Sequence, residues 1–380
     1  MKRIASIDIL RAITMVMMLW VNDFASVEGL PHWLHHAATE EDMMGFSDLV
    51  FPSFLFCVGL SLPIALDGRF RKGHSLIQVI SHIVSRSFAL ILMGLLSLNC
   101  SGIEGGLSGQ AFRLLMVAGY FLVWNVYPRS ESGKGRLFTA LRILGGVILA
   151  GLIVYRYAFG HPLKVGYWGI LGLIGWAYLL CSVFYLLCRR NAGLCSLAWF
   201  LITGLMIAFQ SGVQWLGFYP GGWTHPTLVF SGVMASVLYA RFADSRKPLG
   251  YIGILVCGAL LMAGAAKLSH NFWICSKNLA TPTWAFMCLS LFPLLLAALY
   301  WICDVRGWTK WALPVKPAGT ATLTCYMLPT VWYALKVIID WNYPAVLCQG
   351  LPGLVRSLAF AFLMVLCTWA LGKLNIKLKL

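Results

Sequence analysis

Apolar residues recur along this chain in blocks of about 20, apolar all round rather than alternating with polar residues. A helix needs about 20 such residues to cross a hydrocarbon core of about 30 Å. Lipid cannot satisfy backbone polar groups, so a spanning segment is a helix or part of a closed barrel. Barrel strands would alternate at period 2, which these blocks do not. Twelve spans are predicted, at 5–26, 46–66, 83–101, 109–127, 138–158, 166–188, 195–212, 225–242, 248–267, 282–303, 314–337 and 353–372. The fold class is therefore all-α, a polytopic membrane bundle of about 11–12 transmembrane helices. No linker, low-complexity tract or internal repeat interrupts it, so 1–380 is expected to form a single integral membrane domain.

Composition agrees: 60% of the 380 residues are hydrophobic and 11% charged. The net charge of +16 changes the picture only through where it lies. On the side of the termini are Lys2, Arg3, Arg69, Arg71, Lys72, Arg129, Lys134, Arg136, Arg189, Arg190, Arg241, Arg246, Lys247, Arg306, Lys310, Lys316, Lys373, Lys377 and Lys379. The opposite loops hold Arg156, Lys164, Lys267 and Lys277. Basic residues mark cytoplasmic loops, so both termini are expected in the cytoplasm and no nucleic-acid partner is implied. The twelve cysteines show no CxxC spacing and fall mostly inside apolar runs, as free thiols do. One bridge among Cys100, Cys275 and Cys348 stays open. The first apolar stretch is long and lacks a small-residue cleavage site, which predicts a retained helix rather than a signal peptide.

Against this apolar background, Asn22–Gly59 is a polar island holding Asp23, Glu28, His32, His35, His36, Glu40, Glu41, Asp42 and Asp48. HxxHH is not a zinc spacing, so no metal is expected. An imidazole that takes a proton from an attacking amine or hydroxyl fits better. Asp48 opens the second span, either as a helix N-cap or as a functional acid. Glu40, Glu41 and Asp42 read as a solvated loop face. Asp8 and Arg11, three apart on one helix face, are either a structural ion pair or a site where Arg11 serves a ligand phosphate. Arg113 either snorkels to the interface or lines a cavity.

These residues carry a resemblance to the heparan-α-glucosaminide N-acetyltransferases and their bacterial relatives. That family's pattern runs S-x-D-x-x-R-G, then V-N, then H-A, then D-L-V-F-P-x-F-x-F-x-x-G. Here stand Ser6-x-Asp8-x-x-Arg11, Val21-Asn22, His36-Ala37 and Asp48-Leu49-Val50-Phe51-Pro52, with Phe54, Phe56 and Gly59. Lys277-Asn278-Leu279 and Thr281-Pro282-Thr283 are similar to the family's K-x-L-W-T-P-S segment, and Asp304-Val305, Gly319-x-x-x-Leu323 and Tyr326 continue it. Three departures stand out. The family's W-N-G after H-A is replaced by Ala38 to Met44, Arg11 is followed by Ala12, and the late G-x-N-A-L lacks its Asn.

The resemblance implies an acetyltransferase that moves acetyl from cytoplasmic acetyl-CoA to the amino group of a terminal glucosamine, heparan-type or related, across a bacterial inner membrane. His36 is implied as general base or acetyl carrier, with Asn22 and Asp48 beside it in catalysis. Asp23, His35, Lys277 and Asn278 are the candidate substrate-binding residues, and Arg11 and Arg113 the candidate ligands of the CoA phosphates. The partners are then acetyl-CoA, an amino-sugar or oligosaccharide acceptor and the bilayer, with a homodimer as one option for assembly. A transporter for a sugar or anionic solute, and an O-acyltransferase of surface glycans, are the alternatives.

Overall fold

A computed structural model describes residues 4–103, 106–128, 135–244 and 247–380. Lys2, Arg3, Arg129, Lys134 and Arg246 of the charge pattern lie outside them. Thirteen α-helices follow one another among the described residues: α1 (Ala5–Phe24), α2 (Val50–Arg71), α3 (Leu76–Leu98), α4 (Gly109–Trp124), α5 (Gly135–Ala158), α6 (Gly169–Cys188), α7 (Ala192–Gln210), α8 (Thr224–Asp244), α9 (Pro248–Ser269), α10 (Pro282–Leu299), α11 (Lys316–Thr320), α12 (Thr322–Ile338) and α13 (Gly350–Lys373). The described residues contain no strand, only two isolated bridges, Glu28 with Gln349 and Asn125 with Leu378.

Every predicted span overlies a helix, and nine helices among the described residues are long and apolar enough to cross a membrane. Several boundaries differ from expectation by a few residues, and two of them have a visible cause. α3 begins at Leu76 rather than at 83, because Ser75 and Gln78 cap its start: the Ser75 amide donates to Gln78 Oε1 (2.9 Å) and the Gln78 amide to Ser75 Oγ (3.3 Å). The span expected at 314–337 is broken at Ala321, whose φ of −131° and ψ of 47° leave the helical region between α11 and α12. All twelve cysteines are free, so no bridge joins Cys100, Cys275 or Cys348.

The chain divides into two compact units. The first comprises residues 1–14, 30–88 and 173–316. Within it α9 packs closely on α10, and α2 on α8. A Cβ on Gly59 would run into the carbonyl of Val229, and one on Gly232 into that of Phe56, so only glycine lets these backbones touch. Packing of this kind holds membrane helices together where no water drives burial. At one end of the unit, Asp304 lies on the π-helical turn Tyr300–Val305 that extends α10. Its carboxylate accepts from the amides of Ala5 (2.8 Å) and Ser6 (2.9 Å), satisfying donors that the first turn of α1 cannot pair internally. The same unit buries Asp67 of α2 against Tyr185 (3.0 Å) and Arg190.

The second unit comprises residues 15–29, 89–172 and 317–380. Here α4 packs on α5 and α12, and α12 on α13. Ser108 caps α4 through the Ala111 amide (3.2 Å). Arg156, buried at the end of α5, donates to the carbonyl of Asn99 (2.7 Å). The tail is fixed as well: the Leu378 amide donates to Thr324 Oγ1 (2.9 Å) and the Lys377 amide to Asn125 Oδ1 (2.8 Å).

Candidate active site

The first unit folds most of the polar island into a closed loop at the start of α2. Two 3₁₀ turns, His32–Leu34 and Phe46–Leu49, bracket it. Ser47 Oγ ties one to the other by donating to the Leu34 carbonyl (2.6 Å). Gly45 lies flat against the His35 carbonyl, where any side chain would collide. Asp48 forms the neck. Its Oδ2 accepts from the amides of Ala37 (3.1 Å) and Gly45 (3.1 Å), while its own amide donates to the Gly45 carbonyl (3.0 Å). Asp48 is therefore not the N-cap of α2. It is the third residue of the 3₁₀ turn and reaches back to the turn's first amide, as an acid does in a capping box.

The second carboxylate oxygen of Asp48 faces His36. Oδ1 lies 2.6 Å from His36 Nδ1. The Asp48 side chain is 2% exposed and that of His36 42%. A carboxylate can only accept, so Nδ1 carries the proton of this contact, and the ring's second nitrogen takes no part in it. Asp48, already holding two amides, cannot swing away, so the ring is oriented from behind and presented outward.

The loop between α9 and α10 supplies the third group. Thr281 caps α10 through the Trp284 amide (3.4 Å), with Pro282 at the first helical position. Thr281 Oγ1 also accepts from the Ser276 amide (3.1 Å), and Ser276 Oγ donates to the Thr39 carbonyl (2.8 Å). Asn278 Nδ2 donates to the Ala37 carbonyl (3.3 Å). These ties bring Lys277 Nζ to 3.1 Å from His36 Nδ1 and 3.7 Å from Asp48 Oδ1. One ring nitrogen cannot both donate and accept. The shorter contact to Asp48 claims its proton, and the lysine is held by the carboxylate's charge. Burial keeps the Lys277 ammonium below the usual lysine range, with Asp48 opposing that shift. Trp284 Nε1 closes the floor on the Asp48 carbonyl (3.3 Å).

The acidic segment is largely exposed, as expected of a loop face, and is also tied to its neighbours. Glu40 is exposed, but Glu41 accepts from His32 Nε2 (2.6 Å) and the Ala38 amide (3.0 Å). Asp42 accepts from the Cys275 amide (2.8 Å) and from His270 Nε2 (2.7 Å). The Cys275 amide and His270 hold the Asp42 carboxyl below the ordinary range, and the contact with His32 does the same for Glu41. A cavity of about 360 Å³ adjoins this strap, lined by Asp42, Met43, Met44, His270, Cys275 and Met287 among others. Nothing local in the sequence pairs Asp42 with His270, 228 residues away.

The remaining expected residues make other contacts. His35 is half-buried in the loop, its carbonyl against Gly45. Arg11 pairs with Asp8 (2.6 Å) and donates to Ser61 Oγ (3.3 Å), realising the ion pair that the spacing allows. Ser61 is thirteen residues beyond Asp48, about 20 Å along α2 at the helical rise. In the second unit, Asn22 is exposed at the end of α1. Asp23 beside it is buried, with its two oxygens taken by Tyr333 Oη (2.7 Å) and Arg356 (2.8 Å). Arg113 Nε contacts Cys100 Sγ (3.5 Å). Tyr333 and Arg356 were not singled out as partners of Asp23, more than 300 residues away in the chain.

Helices of this length and polarity define a multi-pass helical membrane protein, carrying a histidine–aspartate–lysine cluster at one end of its first unit. The chain belongs to the family described as Domain of unknown function (DUF5009), whose model matches residues 3–214. It is also similar to the heparan-alpha-glucosaminide N-acetyltransferases of Homo sapiens and Mus musculus, each 30% identical over 112 residues. The match covers 30% of this chain and 16% of each relative's length. The relation expected from the motifs is thus found again by similarity to that enzyme.

Proposed function

We propose that this protein is a membrane acetyltransferase. It transfers acetyl from acetyl-CoA to the amino group of a glucosamine-type sugar presented on the far side of the membrane. One observation carries this function: the buried Asp48 carboxylate accepts from His36 Nδ1 (2.6 Å), while the His36 side chain is 42% exposed. That is the arrangement a general base needs, oriented by an acid that is itself fixed. Nε2 takes the proton as the sugar amine attacks the thioester carbonyl, and the imidazolium that forms is stabilised by Asp48.

Lys277 and Asn278 stand beside the base and are proposed to contact the acceptor. The basic residues of the opposite end of the first unit, Arg69 and Arg71 at the end of α2 among them, support a cytoplasmic side for the CoA phosphates. α2 alone is 22 residues, about 33 Å long, so the donor's nucleotide and the base are proposed to sit at opposite ends of the unit.

The test is transfer of labelled acetyl from acetyl-CoA to glucosamine by purified protein in lipid nanodiscs. His36→Ala is expected to abolish transfer while the protein keeps its melting temperature. Full activity in that variant overturns the assignment of His36. Labelled product formed only with hydroxyl acceptors would turn the proposal to O-acylation.

A further inference from the structure

We propose that Lys277 is itself an acetyl acceptor, so that the site modifies and silences itself when acetyl-CoA is present and the sugar is not. This rests on the acetyltransferase function proposed above. Lys277 Nζ lies 3.1 Å from His36 Nδ1, on the Asp48 side of the ring proposed to serve as the base. It is held there by its loop rather than reaching in from solvent: Ser276 is bonded to Thr39, and Asn278 to Ala37. Its side chain is 23% exposed, whereas Lys267 and Lys310 are exposed surface lysines. The intended nucleophile is a primary amine, and Lys277 offers the same functional group beside the same imidazole. The groups facing it are His36, Asp48 and the Cys288 thiol. Burial increases its neutral, nucleophilic share relative to a surface lysine.

The step balances without a further reactant. The Nζ lone pair forms an N–C bond to the acetyl carbon, and the C–S bond breaks with its electron pair going to sulfur. The surplus amine proton leaves to solvent or to the thiolate, giving an acetamide and free CoA. The product has no positive charge opposite Asp48 and carries an acetyl group where the acceptor amine should sit. A bound sugar would protect the lysine by taking the acetyl first.

The experiment uses the full chain in nanodiscs with isotope-labelled acetyl-CoA, with and without glucosamine, read by peptide mass spectrometry and by residual transfer activity. Without glucosamine, label is expected on Lys277 ahead of Lys267 and Lys310, with transfer activity lost in step. With glucosamine, both changes are expected to be suppressed. Lys277→Arg keeps the charge but not the nucleophile; whatever its starting rate, it should hold that rate through the same incubation. Glucosamine acetylation with Lys277 unmodified overturns the inference and leaves the acetyltransferase function standing. Label spread evenly over the three lysines overturns it too. Absence of both acetylated glucosamine and acetyl-Lys277 overturns the acetyltransferase function and the inference with it.

Discussion

Two buried aspartates lie close together in sequence terms, one in each unit, and each is paired with a cation and a third polar group. Asp48 has His36 and Lys277, and Asp23 has Arg356 and Tyr333. Both carboxylates are nearly inaccessible, at 2% and 3% side-chain exposure. The difference lies in what their partners have left over. Arg356 is 11% exposed and cannot lose its proton, and the phenol of Tyr333 spends its hydrogen on Asp23. That cluster is closed. His36 is 42% exposed and binds its aspartate through one nitrogen of two. A buried acid therefore does not by itself mark chemistry. What marks it is a partner that can still exchange a proton with something outside.

The comparison can be broken by single substitutions. The largest effect is expected from His36→Ala, with acetyl transfer falling roughly 10²–10⁴-fold, the range of a lost general base, and no shift in melting temperature. Arg356→Ala should show the opposite signature. Removing one partner of a buried ion pair strands the other, at a cost of about 3–5 kcal/mol, seen as thermal or denaturant unfolding at milder conditions. If Arg356→Ala instead spared stability, the closed-cluster description of Asp23 would be wrong. Thr281→Ala, which removes the cap of α10 and a tie to the Lys277 loop, should cost about 1 kcal/mol of stability. It should also raise the KM for the acceptor more than it lowers kcat.

The smallest effect concerns acid pH. The Asp42 carboxyl is held below its ordinary value by the Cys275 amide and His270, so the folded loop favours the charged form. That contribution is complete above about pH 4 and fades as pH falls through the lowered value. Hydrogen exchange of the 38–44 segment should therefore accelerate on acidification in the parent protein. In Asp42→Asn it should be faster at neutral pH and lack that acid step.

The helices were legible because period and length are local properties: all twelve apolar blocks became helices. Where an end was misplaced, as at Leu76, short-range capping by Ser75 and Gln78 had outweighed apolar onset. The site was legible in part. His36, Asp48 and Lys277 could each be singled out by motif, but nothing in the chain says that residues 36, 48 and 277 meet. The acidic run is largely exposed, as its composition suggests, but its partners were not legible: His270 and the Cys275 amide reach Asp42 from the loop after α9. Asp23 was a candidate substrate-binding residue, yet Tyr333 and Arg356 come from α12 and α13 to occupy it. In each case the missing information was a contact between distant segments, which no local pattern encodes.

The cap on α1 carries a consequence for how the chain is made. Ala5 and Ser6 donate to a carboxylate 299 and 298 residues later. At synthesis rates of about 5–20 residues per second, roughly 15–60 s separate the appearance of the donors from that of their acceptor. During that interval the first helix resides in the bilayer with its leading amides dependent on water or lipid headgroups. The first unit, assembled from three separated stretches, cannot be closed until the ribosome has passed Asp304. A chain stopped short of that point should hold its earlier helices in the membrane while leaving its amino end open to exchange and proteolysis.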